Sequence, residues 1–140
     1  PTPPPPPPPP PPVQTGVIPG SMQDFVVNVG DRVYFDTDEY TVRADAQPVL
    51  SNQAAWLARY PQVRIRIEGN ADERGTREYN LALGARRANA VRDFLVGRGV
   101  AATRIETLSY GKERPMAAGS DEAAWAQNRN AQSVIIEGAR

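Results

Sequence analysis

Cysteine and histidine are both absent from the 140 residues. Their absence removes disulfides, thiol nucleophiles, imidazole general bases and nearly all zinc and copper sites. A cysteine-free chain suits a reducing or an oxidising compartment equally, so composition leaves location open. Charge of one sign is not in excess either: 16 basic residues balance 16 acidic ones. Without a basic surplus to neutralise phosphates, nucleic acid is not an expected partner. No apolar run approaches the roughly 18 residues of a membrane-spanning helix. The sequence opens on Pro1 with neither the charged nor the apolar region of an export signal, and is expected to be a processed or truncated piece. No internal repeat is visible.

What is present begins with proline. Residues 3–12 are ten consecutive prolines, and the segment 1–16 carries no charge. Such a run spans roughly 30 Å as polyproline II, at about 3.1 Å per residue. Residues 1–20 are therefore expected to form a proline-rich extended linker. Residues 21–140 read as one domain with enough apolar content for a single core.

Ser21 with Asp24 at the third position predicts a single capped helical turn. Arg32-Val-Tyr-Phe35 reads as a strand that stops at the turn-forming Asp36-Thr-Asp-Glu39. Val49, Leu50, Ala54 and Leu57 recur at helical spacing, and Pro48 places the start of that helix near Ala44. Val63-Arg-Ile-Arg-Ile-Glu68 is the clearest strand, apolar on one face and charged on the other, as in a sheet covered on one side only. A long helix is expected from about Arg77 to Val96, with Gly97 and Gly99 as stops. Gly84 inside it costs about 1 kcal/mol against Ala and points to close approach of another backbone or a ligand. Arg104–Tyr110 reads as a third strand, 111–120 as a loop, 121–127 as a short helix and Ser133–Glu137 as a last strand. The order is β-α-β-α-β, then the short helix and the final strand. Crossover helices imply parallel neighbouring strands and right-handed connections. The expected fold is a two-layer α/β sandwich, with a mixed four-stranded sheet and both main helices on one face.

On the wheel of the long helix, Leu83, Ala90, Val91, Phe94 and Leu95 share one apolar arc, and Arg87 falls inside it with Asn80 two turns earlier. A guanidinium keeps its proton and is costly to bury unpaired. It must reach water, find a carboxylate such as Asp72, or await an external anion. Two readings stay open: the edge of a core with the charged head in water, or an inward polar spot made by Asp72, Asn80 and Arg87.

Carboxylates are the only catalytic resource. Asp36, Asp38 and Glu39 share one turn, Asp72 and Glu73 another, and neither pair opposes two carboxyls across a bond. Ser109 and Thr107 have no base to activate them. Asp36-Thr-Asp-Glu39 resembles the start of a calcium loop but lacks its later glycine and glutamate, so a plain turn is the better reading. No enzyme activity, cofactor or metal is expected. A carboxylate and a guanidinium facing one pocket would suit a zwitterion, ammonium to Asp72 and carboxylate to Arg87. The far end of meso-diaminopimelate in peptidoglycan is one such group.

The blocks Gly69-Asn-Ala-Asp-Glu-Arg-Gly-Thr76, Glu78-Tyr-Asn80 and Leu83-Gly-Ala-Arg-Arg-Ala-Asn-Ala-Val91 resemble the OmpA-like peptidoglycan-binding domain family. Ser109-Tyr-Gly-Lys-Glu-Arg-Pro115 and Asp121-Glu-Ala-Ala-Trp-Ala-Gln-Asn-Arg129 are similar to its peptidoglycan-associated lipoprotein branch. The resemblance covers roughly residues 25–137. It implies that Asp72 and Arg87 grip diaminopimelate without cutting the polymer. Main-chain groups of Phe35, Asp36 and Thr37, with Asn80 and Leu83, would complete the pocket. It also implies a periplasmic domain anchored to the outer membrane through a lipid, meeting TolB of the Tol–Pal envelope system in competition with peptidoglycan. The proline run would be the tether. Asn70 stands where many relatives have His, and Asn130 replaces a common second Arg after Arg129. The acylated cysteine of such lipoproteins is not in this sequence. Alternatives are the periplasmic domain of an OmpA-like porin or motility stator, a cell-wall hydrolase using Asp36 or Asp72, or a scaffold in which Asp72 and Arg87 pair only with each other. A monomer is expected, because the predicted apolar faces are used internally.

Overall fold

The computed structural model describes residues 4–5 and 16–140, so the linker expected over residues 1–20 lies largely outside them. A helical turn α1 (Met22–Asp24) runs into a π-helical segment (Phe25–Val29). Then come β1 (Arg32–Tyr34), α2 (Gln47–Arg59), β2 (Arg64–Asn70), α3 (Arg77–Gly97), a 3₁₀ turn (Ala102–Arg104), β3 (Ile105–Gly111), α4 (Glu122–Asn128) and β4 (Asn130–Glu137). The two-layer α/β arrangement with a mixed four-stranded sheet is the one expected. Its neighbours are not. The strand order is β1-β4-β2-β3, with β2 parallel to β3 and antiparallel to β4, and β4 antiparallel to β1.

The crossover through α2 thus leaves β1 and β2 running the same way without making them neighbours, because β4 enters between them. β4 suits that place. Its outward residues Asn130, Gln132, Val134 and Ile136 carry no charge, and it begins three residues before the expected Ser133 so that Asn130–Gln132 can pair with β1. The short β1 takes the edge, where unpaired backbone is tolerable.

Val63, Ile65 and Ile67 are fully buried under α2 and α3, while Arg64 and Arg66 line the helix-free face. Ser133 Oγ donates to Gln53 of α2 at 2.9 Å, tying that helix to the inner face. α3 is tied by two glycines. A Cβ on Gly69 would sit 1.8 Å from the Gly84 carbonyl oxygen, and one on Gly84 would sit 2.3 Å from Ser109 Oγ. The close approach that Gly84 signalled is therefore to the backbone of β2 at Gly69 and to the Ser109 side chain of β3.

Three local boundaries differ from expectation. α2 starts at Gln47 and not near Ala44, which still leaves Pro48 in the first turn, where an N–H has no intrahelical partner. The capped turn at Ser21 continues for five more residues as a π-helix, because Phe25 packs edge-on to Trp56 with ring centres 5.0 Å apart. Asp24 secures this segment by accepting from Gly20 N and Trp56 Nε1, each at 2.9 Å. Arg104 leaves the strand: its Nη2 donates to the carbonyls of Leu57 and Tyr60 and its Nε to that of Val63, all at 2.9 Å, closing the C-terminal end of α2.

Candidate functional site

Thr76 opens α3 by accepting from Tyr79 N at 3.1 Å, which fixes the charged loop 71–75 between the end of β2 and the helix. Within that loop Asp72 is only 6% exposed. Its Oδ1 accepts from the main-chain N of Arg74 at 3.0 Å and from Arg74 Nε at 3.2 Å, and its Oδ2 from Arg74 Nη2 at 2.8 Å. Arg129 Nη1 approaches the same oxygen at 3.6 Å and has no hydrogen-bond partner among the described residues. Burial pushes the Asp72 carboxyl up, but the bonds from Arg74 and the charges of Arg74 and Arg129 outweigh it and hold the group below its ordinary range.

Arg87 is the largest fully buried side chain among the described residues. Of the two open readings, the one with its head in water is therefore excluded. It also forms no ion pair with Asp72. Instead Nε donates to Glu39 O at 2.8 Å, Nη1 to Asn70 O at 2.8 Å and Nη2 to Asp36 O at 3.1 Å. Burial pushes the guanidinium down to about 10, with the Asp72 charge opposing the shift. A guanidinium has five N–H donors, so these three bonds leave one N–H on each η nitrogen.

The expected residues are not all on one surface. Thr37 and Asp72 line an open cleft of about 380 Å³ together with Asp38, Arg74, Gly75 and Tyr79. Asn80 lies below the loop, donating to Arg74 O at 2.8 Å. Leu83 and Phe35 are buried. The Phe35 main chain is committed to Arg129, its N–H donating to Arg129 O at 2.8 Å and its carbonyl accepting from Arg129 Nε at 3.0 Å. Asp36 gives its carbonyl to Arg87 and its carboxylate to Arg43 at 3.4 Å. Arg87 sits behind this wall, with its guanidinium carbon 5.3 Å from the Phe35 ring centre.

Several residues of the cleft escape periodicity. Arg74 stacks 4.1 Å over Trp125 while holding Asp72. Lys112 Nζ donates to Gly75 O at 2.8 Å and pins the loop from β3. Asp38 adopts a left-handed φ of 59° and accepts from Tyr79 OH at 3.3 Å. These contacts join loop residues to segments distant in the sequence, and the Asp-Glu-Arg run was their only trace. Asn70 and Asn130, the two departures from the family pattern, are bonded to each other at 3.0 Å. Among the described residues no cluster of three carboxylates could hold a metal ion.

A family profile described as the OmpA family matches residues 34–129. The chain is 63% identical over 117 residues to the peptidoglycan-associated lipoprotein of Agrobacterium fabrum, and 64% identical over 117 residues to that of Rhizobium meliloti. Each match covers 84% of this chain and 66% of the relative, so the chain spans about two thirds of the length of these relatives. Among solved structures, the crystal structure of the peptidoglycan-associated lipoprotein from Burkholderia pseudomallei is 52% identical with a TM-score of 0.74, covering 76% of this chain and 90% of that one.

Proposed function

The chain belongs to the OmpA family, and on that premise we propose that it binds peptidoglycan non-covalently through the meso-diaminopimelate side chain, as a binding module and not a hydrolase. The observation that carries the reading is Asp72: a buried, ionised carboxylate on the wall of an open cleft, held by a cation that can leave. Arg74, whose side chain is 38% exposed, occupies the place that the ligand's ammonium would take. When Arg74 swings away, the ammonium pairs with Asp72. The neighbouring carboxylate meets Arg87 only if the wall in front of that fully buried side chain parts, and it would then find one unused N–H on each η nitrogen of a guanidinium already fixed by three carbonyls. Thr37, Asp36, Asn80, Phe35 and Leu83 shape the wall between them. A lysine-type stem peptide lacks that carboxylate and gains nothing from Arg87.

In the cell the domain would join the outer membrane to the wall. Residues 1–20 would serve as the linker and residues 21–140 as the binding domain. A lipid anchor would lie on the membrane side, and TolB of the Tol–Pal system would compete for the cleft. The similarity to peptidoglycan-associated lipoproteins supports this setting. The test is calorimetric titration with a diaminopimelate stem peptide against a lysine stem peptide. Heat from the first alone, abolished by Asp72→Ala, is the expected result. Equal heat from both would overturn the zwitterion pocket.

A further inference from the structure

On the helix-free face of the sheet a second pocket, of about 210 Å³, opens between the strands and the segment 114–116. Its floor is the cross-strand row of Arg32, Gln132 and Glu68, beside the bonded pair Asn130 and Asn70. Two buried groups here have no partner among the described residues: the Nε–H of Arg32 and the Oδ1 of Asn70. Asn70 is 8% exposed, and its amide nitrogen is already committed, donating to Asn130 Oδ1 at 3.0 Å and to Glu68 O at 3.3 Å. Its oxygen is therefore held in place as an unmet acceptor. Glu68 is neutralised by Arg66 at 3.0 Å.

Water can meet both groups, and an organic group that displaces it without loss must likewise offer one acceptor and one donor. A carboxylate would satisfy Arg32 but set its charge against Asn70 Oδ1. An ammonium would satisfy Asn70 but lie beside the cationic Arg32. A secondary amide presents C=O and N–H on opposite edges of one flat, neutral group. The volume is below the roughly 300–1,000 Å³ of small-molecule sites, so the pocket fits a substituent and not a whole ring.

We propose that this pocket takes the acetamido group of an N-acetylated amino sugar, its carbonyl accepting from Arg32 Nε and its N–H donating to Asn70 Oδ1. The two sites draw on the same two stretches of chain. Asn70 faces this pocket while Asp72 faces the first cleft, and Asn130 faces it while Arg129 approaches Asp72. A polymer carrying both N-acetylated sugars and peptides presents a group for each site. This assignment rests on the peptidoglycan reading above.

The test titrates the intact chain with a stem peptide, with the same peptide on its disaccharide, and with that muropeptide after N-deacetylation. The muropeptide is expected to bind about tenfold tighter than the peptide, as one buried hydrogen-bonded group warrants, and deacetylation should return it to the peptide's affinity. Arg32→Met should remove the gain and leave peptide affinity unchanged. Equal binding of acetylated and deacetylated muropeptides would overturn the proposal, and that comparison needs no variant. Displacement of the sugar by a plain N-acetylated tripeptide at equal strength would overturn the assignment to glycan. Failure of the stem peptide to bind at all would instead sink the reading of the first cleft.

Discussion

Replacing Arg87 by methionine separates what this side chain does for the fold from what it does for a ligand. The change keeps an unbranched stem of similar length and removes the guanidinium. Three carbonyls lose a donor, those of Glu39, Asn70 and Asp36. Asp36 O still accepts from Glu39 N at 3.1 Å, so two carbonyls bear most of the loss. A buried unmet acceptor costs about 1–3 kcal/mol, which gives about 2–6 kcal/mol before any relief. Removing a buried charge returns some of this, and about 3 kcal/mol is the net loss we expect. That is a large part of the roughly 5–15 kcal/mol that holds a domain together. Urea unfolding followed by fluorescence of Trp56 and Trp125 would measure it. Arg86→Met is the control: Arg86 is exposed and lies 5.5 Å from the Tyr40 ring centre, so its loss should stay within about 0.5 kcal/mol. A loss below about 1 kcal/mol for Arg87→Met would show that the three carbonyls do not depend on it.

Four further outcomes are expected. Gly69→Ala drives a Cβ into the Gly84 carbonyl and should cost about 3 kcal/mol or more. Gly97→Ala meets nothing within 4 Å and should gain about 0.5–1 kcal/mol. Chemical denaturation of both variants checks the contrast. Thr76→Ala removes the cap of α3 and should cost about 1 kcal/mol, read by the same urea midpoints. Asp72 has a folded pKa lowered from 3.8. Its contribution is therefore fully present above the unfolded value and lost as pH falls through the folded one. The stability gap between wild type and Asp72→Asn should close below that range, and an unchanged gap in acid would contradict the linkage.

Much of α3 was legible in the sequence, because its apolar spacing is a local property: Leu83, Val91 and Leu95 are buried, and Arg87 points inward with them. The alternating strand at Ile65 and Ile67 was legible for the same reason. The position of β4 was not. Strand order depends on which distant segments pair, and nothing near Asn130 announces Tyr34 as its partner. The loop ahead of the helix offered Asp72 as a carboxylate near Arg87, and the likeness of the 69–76 block to a known family pointed to the same residue. It did not disclose that Arg74 already holds the carboxylate, nor that Arg129 approaches it from α4's far end. Arg87 looked like a ligand-binding group with an open head. Its first duty is to three backbone carbonyls, the same device that Arg104 uses below α2. Both are tertiary contacts at sequence separations of 41 residues or more, except the Arg87 bond to Asn70 at 17.

The Arg74–Asp72 pair has a kinetic meaning as well. Because the tethered guanidinium lies on the carboxylate at 2.8 Å, an ammonium bound there as proposed would face a competitor that never diffuses away. Its release would be hastened and each grip would be brief. A wall carrying the same side chain repeatedly would then be held by many brief grips, any one of which could let go and re-seat as the wall grows. Arg74→Ala should lengthen the residence time of a single stem peptide on the domain. Stopped-flow displacement would measure that time, and a faster release in the variant would contradict the idea.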